Sequence, residues 1–212
     1  AASDVYKRQV TINLKTVKIK FTLAALCFSI LSFGQYYIVP STTPGNPNGI
    51  NNEDAEYPNG GGLPAGWTSI LAGGNSSPAW SPSQTIPFTF NYDGNPVSQY
   101  KVSSSGVLTF ANTAMAAPSY TNATLPSASI PDSSIMIWGI EGSGSNDEIV
   151  TKTFGAAPNR QHWVFFSSYT AGGSWSYWAI VLEETSDLLY VVDMHHATTN
   201  TIAVTIGMQF DG

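Results

Sequence analysis

Charge is what this 212-residue chain has least of: 10% of its residues are Asp, Glu, Lys or Arg, against about 25% in an ordinary soluble domain. Basic residues are the scarcer sign, eight against fourteen acids, for a net charge of −6. That balance excludes a nucleic-acid interface, which needs a basic face. A single Cys excludes a disulfide scaffold and a Cys-based zinc site. No apolar run reaches the roughly 20 residues that span a bilayer as a helix, and no helical stripe stands out. What is abundant instead is hydroxyl and turn chemistry. There are 25 Ser, 20 Thr, 19 Gly and 13 Pro, with 12% aromatics, a β-prone, turn-rich composition. The length suits one domain with a tail.

The few cations are not spread evenly. Residues 1–34 hold Lys7, Arg8, Lys15, Lys18 and Lys20 against Asp4, a net of +4; residues 35–212 hold Lys101, Lys152 and Arg160 against thirteen acids, a net of −10. Lys15, Lys18 and Lys20 precede a thirteen-residue apolar run, Phe21 to Phe33, which closes on Ser32-Phe33-Gly34. Basic start, short apolar middle and small-residue end are the three parts of a secretory signal peptide. Residues 10–34 are read as that peptide, cleaved between Gly34 and Gln35, which places the mature protein outside the cell or on its outer surface, without a membrane span. Cys27 lies inside the apolar run rather than at its end, so it is not read as a lipidation site. The first Met is Met115, and residues 1–9 are set aside as a spurious lead-in. The chain stops at Phe210-Asp211-Gly212, straight after a strand-like run, and is read as truncated C-terminally.

Residues 35–66 carry Pro40, Pro44, Pro47, Pro58, Pro64 and Gly60-Gly61-Gly62 with no hydrophobic period, the pattern of an irregular leader. From residue 67 onward strand signals recur at regular spacing. Phe88, Phe90 and Tyr92 alternate with polar residues up to an Asp93-Gly94 turn. Tyr100 and Val102 lead to a turn at Ser104-Ser105-Gly106, and Val107-Leu108-Thr109-Phe110 returns. Residues 135–138, 149–154, 162–166, 177–182 and 188–193 follow. Ile202, Val204, Ile206, Met208 and Phe210 then share one face. One short helix candidate lies near residues 112–117, ended by Pro118. About nine short strands without intervening helices predict an all-β, antiparallel, jelly-roll-like sandwich over residues 67–212.

Several segments in order strengthen this reading: Ile86-Pro87-Phe88-Thr89-Phe90-Asn91-Tyr92-Asp93-Gly94, Val102 through Phe110, Leu125-Pro126 through Trp138, Gly155 through Arg160, Val181-Leu182-Glu183-Glu184-Thr185 and Thr205-Ile206-Gly207. Together they resemble a β-sandwich domain of exported proteins in Bacteroidetes-type bacteria, with elements similar to nidogen-type extracellular domains. The resemblance covers roughly residues 67–210. It implies a non-catalytic module of a large secreted or cell-surface protein, many of them cargo of the type IX secretion machinery, and it brings no catalytic residue with it. Where the pattern usually has an Asp after Trp138, this chain has Gly139-Ile140-Glu141.

The chemistry-bearing residues are weighed against that background. His195 and His196, next to Asp193, would bind a metal only if they shared a face, and neighbours on a strand do not. Glu141, Asp147 and Glu148 flank a Gly/Ser loop; Ca²⁺ is the one cofactor such oxygen ligands would suit, though without a calcium-loop spacing. Glu183 and Glu184 diverge as strand neighbours, unlike a glycosidase pair. No Gly-x-Ser-x-Gly elbow marks a nucleophile. Arg160, Gly106 and Gly94 are expected to fix turns. The aromatic residues carry the sharpest expectation. Trp175, Tyr177, Ala179 and Val181 lie on one face of a strand and Trp178, Ile180 and Leu182 on the other, while a two-layer sandwich buries only one face. Trp163, Trp175, Tyr177 and Trp178 are therefore the candidate exposed platform for an extracellular glycan or protein ligand. The function read from the sequence is adhesion or binding by a module that is not an enzyme; the alternative is a carbohydrate-binding accessory module of a secreted hydrolase.

Overall fold

A computed structural model describes residues 36–37, 43–44, 46–53, 63, 66–197 and 201–211, all within one compact unit, Gly34–Gly212. The lead-in, the signal peptide, its cleavage site and Cys27 lie outside the described residues. The strands are β1 (Tyr36–Tyr37), β2 (Thr43–Pro44), β3 (Thr68–Ala72), β4 (Gln84–Tyr92), β5 (Asn95–Val102), β6 (Val107–Thr109), β7 (Ser134–Trp138), β8 (Glu148–Phe154), β9 (Gln161–Ala171), β10 (Ser174–Glu183), β11 (Leu189–His196) and β12 (Thr205–Gln209). They form two sheets, in the orders β1-β12-β7-β6-β5-β4 and β2-β11-β10-β9-β8-β3. Every pairing is antiparallel except the short contact of β11 with β2. The all-β antiparallel sandwich expected from the sequence is the observed architecture. Each sheet has five strands of three residues or more, with a two-residue strand added at one edge.

The first sheet's hairpin shows how local sequence sets register. Asp93 and Gly94 both have positive φ, 50° and 72°, the backbone of a two-residue type I′ turn, and Tyr92 pairs with Asn95 across it. Gly106 has φ 86°, and a Cβ there would meet the Ile137 carbonyl oxygen at 2.2 Å. The chain can cross β7 this closely only because the residue is glycine. Arg160, in the turn before β9, bonds Glu184 through two nitrogens.

The main core lies between the sheets. Phe90, Tyr100, Leu108, Ile135 and Ile137 of the first meet Ile149, Val164, Phe166, Trp178, Ile180 and Leu182 of the second. Ile202, Val204, Ile206 and Met208 pack against the same cluster, as their alternation predicts. The outer faces depart from a bare two-layer sandwich. The outer face of the second sheet carries its own buried cluster of Val150, Phe154, Trp163, Phe165, Tyr177, Ala179, Val181 and Val192, with Trp67 on it and Ile50 against it. Residues 46–53 lie over that face: Pro47 O accepts from Gln161, Asn48 donates to Glu183 at 2.6 Å, and Glu53 binds both Trp67 Nε1 and Lys152. The outer face of the first sheet buries Val107, Met136 and Trp138 with Ile130. The chain between β6 and β7 covers it, pinned by Trp138 Nε1 donating to Ser119 O and by Gln209 bonding Ser127 and Ile130.

Three local expectations are corrected. No helix forms at residues 112–117; the segment is shorter than what nucleates a helix unaided, and Met115 O instead accepts from Trp80 Nε1. The strand predicted over 162–166 runs on to Ala171, through Ser167-Ser168. Strands β1 and β2 form within the stretch 35–66 expected to be irregular, and β3 forms where no strand is predicted.

Candidate functional site

The second sheet has two unlike ends. At one, β9 begins and β10 ends in a closed polar network. Arg160 places a two-pronged fork on Glu184, Nε at 2.7 Å and Nη2 at 2.5 Å, and that bond holds the Glu184 carboxyl below its usual range. Burial alone would raise Glu183, but donors from Gln161, Ser186, Asn48 and Tyr190 outweigh it and hold that carboxyl down as well. Buried Gln161 links Pro47 O, Glu183 and Trp163 Nε1. Beside it His162 bridges Tyr100 Oη at 2.7 Å and Thr153 Oγ1 at 3.0 Å, and burial pushes its imidazole down to about 4. The two glutamates diverge and are committed to structure.

At the other end the sheet is irregular on both sides of β10. Strand β10 keeps strict alternation, but each neighbour inserts a residue: Ser176 pairs with Tyr169 while Trp178 pairs with Phe166, and Tyr177 pairs with His195 while Trp178 pairs with Asp193. The extra residues are in Ser167-Ser168 and at Met194. Ser168 has φ 62°, the left-handed geometry that bulges use and that few non-glycine residues adopt. Its hydroxyl lies 3.1 Å from Tyr177 Oη. The Met194 bulge also puts Asp193 and His196 on one face, where they pair at 2.6 Å, although strand residues three apart normally oppose each other. His195 remains on the other face, stacked on Trp175 at 5.2 Å and 12°, while His196 leans on Trp178. The two histidine rings therefore lie on opposite faces of the sheet.

The aromatic platform expected from sequence is not assembled. Trp163 is fully buried, Trp178 is 3% exposed in the main core and Tyr177 is 6% exposed. Trp163 is covered because residues 46–53 and Trp67 add a layer over this face. Trp178 points between the sheets. Trp175 alone is open, 42% exposed. Its flat partner is His195; Tyr177 meets it edge-on at 5.7 Å and 74°.

Nearby, Glu141, Asp147 and Glu148 stand at the loop 141–148. The loop is held tightly on the β3 exit: Gly74 N donates to Gly144 O at 2.7 Å, and a Cβ on Gly73 would strike Asp147 O. Asp147 accepts from Gly144 N at 2.7 Å, and Glu141 accepts from Ser143. Burial raises the Asp147 carboxyl, the Gly144 amide pulls it back, and Glu141 raises it again, for a net upward shift. Among the described residues no three metal-ligating side chains converge; the three acids do not form the oxygen cage Ca²⁺ requires.

Loop and ring do share a cleft. Gly144, Ser145, Asn146 and Asp147 face Ser168, Thr170, Gly173, Ser174, Trp175 and Tyr177 around about 620 Å³. Two of the four predicted aromatics and one of the three predicted acids thus meet in one place. Asn146, Ser168 and the stacking role of His195 were missed by the sequence reading. The available signal was Ser167-Ser168, two small polar residues interrupting an otherwise aromatic strand.

The model of the NIDO related family matches residues 64–212. The chain belongs to the NIDO related family. Comparison with curated proteins and with solved structures finds no match. The matched span of this NIDO related domain includes every strand from β3 to β12, and so both ends of the second sheet. Among its described residues no helix is long and apolar enough to cross a membrane.

Proposed function

We propose that this NIDO related domain is a non-catalytic extracellular interaction module of a secreted or cell-surface bacterial protein, and that it contacts its partner through the bulged end of its second sheet. The observation that carries the reading is Trp175, a large ring left 42% exposed on a cleft rim, while the other aromatic residues of the same outer face are buried or half-buried. A solvent-facing indole held rigid by neighbours is the kind of residue that anchors a contact. The carboxylates that hydrolysis would need support the non-catalytic reading by their engagement: Glu184 is tied to Arg160, and Glu183 is surrounded by donors. Export follows from the amino-terminal pattern, by cleavage between Gly34 and Gln35, with the type IX machinery as the route that the sequence resemblance implies. A second reading, an accessory module that delivers a secreted hydrolase to its substrate, uses the same cleft.

The test is binding of the fluorescently labelled chain to immobilised extracellular matrix proteins and polysaccharides, compared with Trp175→Ala. We expect retention on at least one surface, reduced tenfold or more in the variant. Equal retention of both proteins on every surface would sink the proposal.

A further inference from the structure

Accepting the bulged end as the binding surface, we infer that its ligand is a neutral sugar, a pyranose ring stacked on the free face of Trp175 with its hydroxyls on the cleft wall. His195 covers one face of the indole at 5.2 Å and 12°, and Tyr177 blocks an edge. The exposure of Trp175 is therefore that of its other face and outer edge. A ring held on two sides loses little freedom on binding, which lowers the cost of association.

The surroundings decide between ligand classes. A protein anchor site is an aromatic residue in a dry apolar surround. Here the single exposed ring borders a concavity whose other walls are hydroxyl, carboxamide and carboxylate: Asn146 and Asp147 on the loop, Ser168 and Thr170 on β9, Ser174 on β10. A pyranose has the matching asymmetry, with C–H groups on its face and hydroxyls around its rim. The cleft, about 620 Å³, lies within the range of small-ligand sites, about 300–1,000 Å³. Gly173 stands at its edge with φ 81° and open space where a side chain would be, so a ligand can approach the backbone there.

Charge narrows the class further. Among the described residues no Lys or Arg lines the cleft, whereas Asp147 does, and Glu141 and Glu148 lie on the same loop. A uronate or sulfated sugar would bring negative charge against these carboxylates with no cation to receive it. Among the described residues the remaining titratable groups of this end are His195, behind the indole, Asp193 and His196, paired on the opposite face, and the phenols of Tyr120, Tyr169 and Tyr177. The neutral hexoses and N-acetylhexosamines fit; the acidic sugars do not.

The experiment is calorimetric and tryptophan-fluorescence titration of the full chain with cello-, manno- and chito-oligosaccharides, and with polygalacturonate and heparin as acidic probes. Trp175→Ala and Asn146→Ala are run in parallel, each checked for an unchanged urea midpoint. We expect saturable binding of at least one neutral oligosaccharide, weakened tenfold or more by Trp175→Ala and several-fold by Asn146→Ala, with no binding of the acidic probes. Binding of polygalacturonate or heparin in preference would overturn the inference. So would binding of no saccharide while the labelled chain still holds a matrix protein through Trp175, an outcome that leaves the interaction module standing. Saccharide binding indifferent to Trp175→Ala would place the site elsewhere and overturn both.

Discussion

The two ends of the second sheet are built from the same strands and finished differently. Where β9 starts, each polar group has its partner within the fold: Arg160 with Glu184, Gln161 with three groups, His162 with two. Where β9 ends, the ladder takes a bulge on each side of Tyr177, an indole faces solvent, and two buried polar atoms, Tyr169 Oη and His196 Nδ1, have no hydrogen-bond partner. Both belong to residues that pair with Ser176, one from each side. Buried polar groups are nearly always satisfied, so the contrast separates an end organised for stability from one organised around a surface. Local irregularity tolerated next to a cleft is the usual company of function.

Two tryptophans give the sharpest way to break that contrast. Trp163 and Trp175 lie on the same outer face at opposite ends. Trp163 is fully buried, packs edge-on against Phe154 and donates to Gln161. Trp163→Ala is expected to cost about 3–5 kcal/mol, the range for a large aromatic removed from a core. Trp175→Ala, which vacates a half-open position, is expected to change stability by less than about 1 kcal/mol. Urea unfolding of both variants checks this; similar losses would erase the distinction between the ends.

Acid should separate the ends next. Burial holds His162 neutral in the fold, down to about 4, while an exposed histidine titrates near 6.5. Between those values the unfolded chain binds the proton and the folded chain does not, so stability is full above pH 6.5 and falls as pH drops toward 4. The slope reaches about 1.4 kcal/mol per pH unit, for a loss on the order of 3 kcal/mol. Asp147 works in the opposite sense. Its carboxyl is raised in the fold, so the folded chain takes up that proton first and acid relieves the bulged end. Denaturation midpoints measured from pH 7.5 to 4.5 should fall, and His162→Gln should flatten the slope. A wild-type profile flat over that range would remove His162 as the acid-sensitive point of the closed end.

Much of this architecture was legible because it depends on alternation and turns. The period-two pattern of Tyr177 to Leu182 assigns each side chain to the face it occupies, and Asp93-Gly94 announces its hairpin. The unreadable part was long-range covering. Nothing in the local pattern of residues 46–53 says that Asn48, Pro47 and Glu53 will settle on β8, β9 and β10, yet that contact buries Trp163 and removes it from the candidate platform. The bulges were also hard to place, because Ser167-Ser168 interrupts an aromatic strand without saying where the ladder slips, and Met194 looks like an ordinary strand residue until its partner is known. Of the site, composition supplied Trp175 and Asp147 separately; only the fold put them on one cleft.

The smallest effect tests the two ends hydroxyl against hydroxyl. Tyr100 and Tyr169 are both buried and sit on the main core. Tyr100 Oη is satisfied by His162 Nε2, whereas Tyr169 Oη lies against Gly142 of the acidic loop without a partner. Removing one member of a buried pair strands the other, so Tyr100→Phe is expected to cost about 1–3 kcal/mol. Removing an unsatisfied hydroxyl strands nothing and relieves a desolvated group. Tyr169→Phe is therefore expected to be neutral or to stabilise by up to about 1 kcal/mol. Thermal and urea midpoints of the two variants, measured at pH 7.5 where His162 is neutral, read the difference directly. If Tyr169→Phe proved as costly as Tyr100→Phe, its hydroxyl would have a hydrogen-bond partner in solution, such as a buried water. The bulged end would then be as fully satisfied at that position as the closed one, leaving Trp175, the two bulges and His196 Nδ1 to distinguish them.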